Sequence, residues 1–181
     1  MYPAYLALYN RKFSPDLVKF LRPSSGWDQT RISFSEVFSA RGKCTTLGLV
    51  EMLCEFAVVI YDDLVSGFTH LVPGECMEYV LERFIVGDGY SKNDHDWGEI
   101  LHVALSKGHA TPKVVTLICK NDPSVVSVAR GIDGLPLHWF LNRVGRSGSR
   151  CCWGEGAEAD KMTAEILDIL LEHNRAALYE S

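Results

Sequence analysis

The chain has 181 residues, 47% of them apolar, and a formal net charge of −5, so it can bury a sizeable core and one domain spanning 1–181 is the default reading. The acidic balance argues against a general nucleic-acid binder, because neutralising phosphates requires a basic face, and the longest wholly apolar run, residues 56–61, holds six residues, far short of a membrane span. Residues 1–13 show no basic stretch ahead of an apolar block, so an intracellular (cytoplasmic or nuclear) protein is expected, with six cysteines kept as reduced thiols rather than a disulfide framework.

The first helical signal lies at residues 14–21, where an N-cap serine, a proline at the first position and apolar residues at helical spacing predict the outer helix of an N-terminal cap. Residues 44–50 read as a worn repeat corner, with Leu47 leading into a helix and Gly48 following it. Residues 76–85 read as the outer helix of that unit. A polar run over 88–96 then separates this part from a clearer one.

Gly98-Glu99-Ile100-Leu101-His102 and Gly134-Leu135-Pro136-Leu137-His138 repeat one pattern 36 residues apart. A period of that length points to stacked helical hairpins. After the first copy a short apolar helix closes at Gly108-His109, and a second opens at Pro112, a favoured first-turn residue. Residues 113–120 align without a gap on 165–172, with apolar positions matching at 114/166, 115/167, 117/169, 118/170 and 119/171. This second offset is 52, so 16 additional residues lie between the last two helices. Residues 144–156, with four glycines and no sustained period, read as a mobile surface loop that holds them. Inner helices are therefore expected at 100–107 and 136–142, and outer ones at 112–120 and 160–173. Leu101 and Leu137 should be almost fully buried. Residues 174–178 parallel 122–126, a link to a next unit, so the chain also reads as a fragment of a longer array.

The unit resembles the ankyrin repeat, in which Gly-x-Thr-Pro-Leu-His precedes Leu-Ala-Ala-x-x-Gly-His. Residues 101–109 carry the closest likeness. The chain departs from the pattern by holding Glu99 and Leu135 at the threonine position, by holding Ile100 at one proline position, and by being a residue short after each glycine. The resemblance covers about 94–179 and implies an all-helical (all-α) fold, a short solenoid of about three degenerate ankyrin-like helix-turn-helix repeats, with 1–93 forming a cap and the worn repeat. It further implies that the corner leucine enters the stack and that the histidine links neighbouring units by hydrogen bonds. Its implied role is a non-enzymatic scaffold for another protein. The implied partner-facing residues are Asp96, Glu99, Ser106 and Lys107 in one unit, then Asp133, Leu135, Asn142 and Arg143 in the next. Trp97 and Trp139 flank them, either as aromatic anchors or, as is commoner in a helical stack, simply packed.

Chemistry has thinner support. Cys151-Cys152 could start a zinc site, recruiting Cys119, His102 or His138, but no spaced second pair accompanies it. A cysteine nucleophile with His138 or His173 as base lacks a marking turn. The acids of residues 88–99 miss the register of a calcium loop, and residues 145–149 lack the strand a phosphate loop requires. No cofactor or metal is expected. The competing reading is an enzyme or zinc-dependent protein with its site in the Cys151-Cys152 loop.

Overall fold

A computed structural model describes residues 8–10, 12, 33–55, 57–87, 96–107, 110–129, 134–147 and 157–179, with residues 143, 145–147 and 176–179 described by backbone alone. The described residues form eight α-helices, two short 3-10 turns and no strand. The chain divides into two compact units, Met1–Tyr90 and Ser91–Ser181.

In the first unit, helix α1 spans Phe34–Arg41 and opens on Ser33, whose hydroxyl accepts a bond from the Glu36 amide. It ends at Gly42, where φ is 51° and a Cβ would stand 2.7 Å from the His70 carbonyl oxygen. Both the left-handed backbone and the close approach require glycine there. Helices α2 (Leu47–Cys54), α3 (Tyr61–Thr69) and α4 (Gly74–Val86) follow. The turn after α3 is a Schellman turn: the Leu71 amide donates to the Phe68 carbonyl and the Val72 amide to that of Gly67, with Leu71 at φ 62° in the position where glycine is usual.

Alternate helices pack together in this unit, α1 on α3 and α2 on α4, while α3 and α4 form a hairpin. Val37, Phe38, Leu49, Val50, Leu53, Leu64, Phe68, Met77, Val80 and Leu81 make the core. Asp63 pins α3 to α1 from inside it. Its carboxylate accepts from the Ser35 amide at 3.1 Å and the Ser35 hydroxyl at 2.8 Å, and from the Ile60 amide at 3.0 Å. On α1, the buried Arg41 guanidinium donates from Nε to the Leu8 carbonyl at 2.6 Å and from Nη2 to that of Asn10 at 2.8 Å, while the Tyr9 hydroxyl donates to Glu36. Leu8 is fully buried.

In the second unit, α5 spans Trp97–Lys107, α6 Pro112–Asn121, α7 Pro136–Ser147 and α8 Ala157–Tyr179, with a 3-10 turn at Pro123–Ser127. Thr111 caps α6 through its hydroxyl, which accepts from the Val114 amide at 3.2 Å. The packing order repeats: α5 on α7, α6 on α8, hairpins α5–α6 and α7–α8, and the 3-10 turn against all four.

Helices thus occur where the repeat pattern predicts them, with several corrections. Residues 144–147 continue α7 rather than opening the loop, because a single glycine at 145 costs only about 1 kcal/mol inside a packed helix. Residues 148–156 lie outside the described residues, as do 14–21. Residues 174–178 belong to α8 and do not repeat the 122–126 link. Pro123 halts α6, since it lacks an amide and clashes with the preceding turn, whereas Arg175 at the matching position lets α8 run on. Leu101 is fully buried, but Leu137 is only half-buried, and Pro136 and Phe140 fill the interior instead. Finally, residues 44–50 do not start the inner helix paired with 76–85. The hairpin partner of α4 is α3, and α2 packs on α4 as its neighbour in the same layer.

That last correction exposes a hairpin the sequence reading passed over. Buried Asp63, Leu64, Gly67 and Phe68 precede buried Ile100, Leu101, Ala104 and Leu105 by 37 residues, and buried Cys76, Met77, Val80 and Leu81 precede Val114, Val115, Ile118 and Cys119 by 38. The α3–α4 and α5–α6 hairpins therefore share one burial register.

Candidate partner-binding surface

Helix α5 buries Trp97, Gly98, Ile100, Leu101, Ala104 and Leu105. Helical spacing then turns Glu99, His102, Val103, Ser106 and Lys107 to the opposite side, and none of these five is buried. On α7, His138, Leu141 and Asn142 are exposed, and the polar two, His138 and Asn142, stand four residues apart on one stripe. The two helices lie side by side, and His102 joins them: its ring centroid is 5.3 Å from that of Trp139, with the planes tilted by 53°. Trp139 is half-buried, so part of the indole reaches solvent beside the polar stripe.

The expected partner-facing residues divide by what each one does. Asp96 is exposed, but its carboxylate accepts from the Glu99 amide at 3.0 Å and its carbonyl from the Glu99 and Ile100 amides. It is the N-cap of α5, so it supports the surface as well as standing on it. Glu99 is half-buried. Ser106 turns its hydroxyl inward along its own helix to the Val103 carbonyl at 2.9 Å, which leaves less of it for a partner. Lys107 and Asn142 are exposed. Leu135 is half-buried and its carbonyl accepts from the Trp139 amide. Asp133 lies outside the described residues, and so does the side chain of Arg143.

Of the two flanking tryptophans, Trp97 is 1% exposed and belongs to the core, leaving Trp139 as the aromatic group at the surface. His138 is exposed, with Nδ1 3.4 Å from where a Cβ on Gly134 would stand. Gly134 has φ 75°, so this corner is built on a glycine that can take the left-handed turn into α7.

In the first unit, sequence reasoning missed the segment leading into α3. Val58 and Ile60 are 72% and 55% exposed, while Val59 between them is buried. Strict alternation of out, in and out is the period of extended chain, but the run 56–61 is apolar throughout, so no alternation of residue type marks it in the sequence.

Among the described residues no group of three His, Cys, Asp or Glu side chains is placed to hold a metal ion. Cys119 is fully buried, and desolvation pushes its thiol up to about 12, away from the thiolate that binds zinc. Cys151 and Cys152 lie outside the described residues. Among those residues no helix is long and apolar enough to cross a membrane. No protein-family model, no curated protein and no solved structure matches the chain.

Proposed function

We propose that the chain is a short solenoid of ankyrin-like helical hairpins that acts as a non-enzymatic protein-interaction module, and that it holds its partner on the side-by-side surface of α5 and α7. The observation that carries this reading is the packing order. In each unit alternate helices touch, α1 with α3 and α2 with α4, then α5 with α7 and α6 with α8. Stacked hairpins produce this order, because each hairpin buries its apolar sides against its neighbours and turns one row of side chains outward. The burial register shared by α3–α4 and α5–α6 supports the same reading, and extends the repeats upstream of residue 94.

On this surface the half-exposed Trp139 supplies an aromatic contact of the kind that dominates binding energy, and Lys107, Asn142 and His138 surround it with polar groups that set orientation. The partner is another protein presenting an apolar or aromatic side chain within a polar segment. The free thiols of Cys44, Cys54, Cys76 and Cys119 fit a reducing, intracellular setting.

Photo-crosslinking tests the surface. A photoreactive residue placed at Lys107 or Asn142 should trap the same adduct from cell extract, and one placed at the exposed Lys161 on α8 should not. Equal adducts from all three positions would remove the α5–α7 surface as the contact.

A further inference from the structure

The last hairpin of the second unit leaves uncovered the positions that its predecessor buries. Leu101 and Leu105 on α5 are fully buried, as are Val115 and Cys119 on α6. Their counterparts on α7, 36 residues on, are Leu137, which is half-buried, and Leu141, which is 45% exposed. The counterparts on α8, 52 residues on, are Leu167 and Leu171, both half-buried. Each pair is four residues apart and so forms a stripe along its helix. Half-buried Val144 continues the α7 stripe and half-buried Asn174 the α8 stripe. The positions aligned in α3 and α4, Leu64, Phe68, Met77 and Leu81, are all fully buried, so the loss of cover is confined to α7–α8.

We propose that this side of α7–α8 is where two copies of the chain associate, each meeting the other through the same surface about a two-fold axis. The first argument is continuity. At the preceding hairpin the equivalent apolar positions are fully buried, and α7 packs on α5 and α8 on α6, so the covering group that fits is another helical hairpin with an apolar side. The second is that the opposite type of contact is blocked. Helix α1 binds α3 through Ser35 and Asp63, and on its other residues Arg41 and Glu36 hold the segment Leu8–Asn10. An incoming hairpin meets that segment on α1, so the α7–α8 side of a second copy is the better complement, which gives a closed dimer rather than a filament. The third is size. Helices of 12 and 23 residues, rising 1.5 Å per residue and about 10 Å wide, present roughly 500 Å2. That lies below the ~800 Å2 per partner of a standard interface, so the dimer is weak and reversible.

Sedimentation velocity over a concentration series tests this with the full chain, Leu141→Glu and Leu171→Glu, with thermal melts recorded for each. The full chain should shift from one copy to two as concentration rises, and no further. Leu141→Glu, at the more exposed position, should melt like the parent while its dimer dissociates at least tenfold more readily. If Leu171→Glu fails to fold, Leu141→Glu alone decides. A parent that stays monomeric throughout, a mass that grows beyond two copies, a Leu141→Glu chain that dimerises as the parent does, or a monomer whose α7–α8 side captures a different protein would each overturn the proposal.

Discussion

The imidazole of His102 and the indole of Trp139 meet across two hairpins, 5.3 Å apart by ring centroids and tilted by 53°. His102 therefore reaches the neighbouring hairpin through a tilted aromatic contact, where the family resemblance implied hydrogen bonding. The contact lies at the level of packing, and it links α5 to the half-buried Trp139 on α7, the tryptophan on which the proposed surface rests.

A double-mutant cycle measures that contact. His102→Ala and Trp139→Ala should each destabilise the fold in urea titrations, and together by less than their sum, with a coupling of about 0.5–1.5 kcal/mol typical of aromatic pairs. Strict additivity would mean that the rings are neighbours without interaction.

The two corner leucines should respond unequally. Leu101 is fully buried, so Leu101→Ala should cost about 2–5 kcal/mol through lost transfer energy and a residual cavity. Leu137 is half-buried and opens no enclosed cavity, so Leu137→Ala should cost roughly half as much or less. Chemical denaturation at a concentration low enough to keep the chain monomeric reads both. Equal losses would show that Leu137 is enclosed after all.

How much of this was legible beforehand follows from where the signal resides. The second unit could be read because its buried positions carry their own marks: leucine at 101, Pro112 at a helix start and apolar residues at 114, 115, 118 and 119. Its end could not, because a glycine at 145 inside a helix looks like a loop glycine when no packing partner is known. In the first unit the register is present but disguised. A buried carboxylate, Asp63, stands where Ile100 stands later, and Leu71 takes the left-handed position at which a glycine would have signalled the turn. The surface was legible only in part. Asp96, which the resemblance sets at a partner-facing turn tip, is exposed and also caps α5, and which of the two tryptophans is packed depends on burial, which spacing alone does not decide.

The buried thiols predict how the fold responds to alkali. Desolvation pushes Cys76 and Cys119 up to about 12, from an ordinary 9.0. Between those values the unfolded chain loses thiol protons that the folded chain retains, so unfolding releases protons and stability falls as pH rises. Below about pH 9 both states are protonated and the effect vanishes. Above it, each thiol should contribute a slope approaching ~1.4 kcal/mol per pH unit. Urea titrations from pH 8 to pH 11 should show the decline, and Cys76→Ala with Cys119→Ala should reduce it after allowing for their constant packing loss, leaving the share of Cys54, which burial pushes up to about 11. An unchanged slope in the double variant would locate the alkaline sensitivity in other groups.

Asp63 supplies the complementary test at acid pH. Burial raises its carboxyl above the ordinary 3.8, against the lowering effect of its hydrogen bonds from Ile60 and Ser35. The sign follows from linkage. A raised folded value means that the native state holds the proton more tightly, so the associated stability is fully present below 3.8 and is lost as pH rises through the folded value. Asp63→Asn cannot titrate, so its stability relative to the parent should change with pH, the parent gaining as pH falls from neutral towards 4. Asp63→Ala should be the worse variant at neutral pH. It strips the acceptor from the Ser35 and Ile60 amides, each of which costs about 1–3 kcal/mol if left unsatisfied in the interior, and it unpins α1 from α3. Chemical denaturation of all three proteins at neutral and acid pH distinguishes the cases. A parent and Asp63→Asn that keep a constant difference across that range would show that the carboxylate is solvated enough to titrate as it does in the unfolded chain.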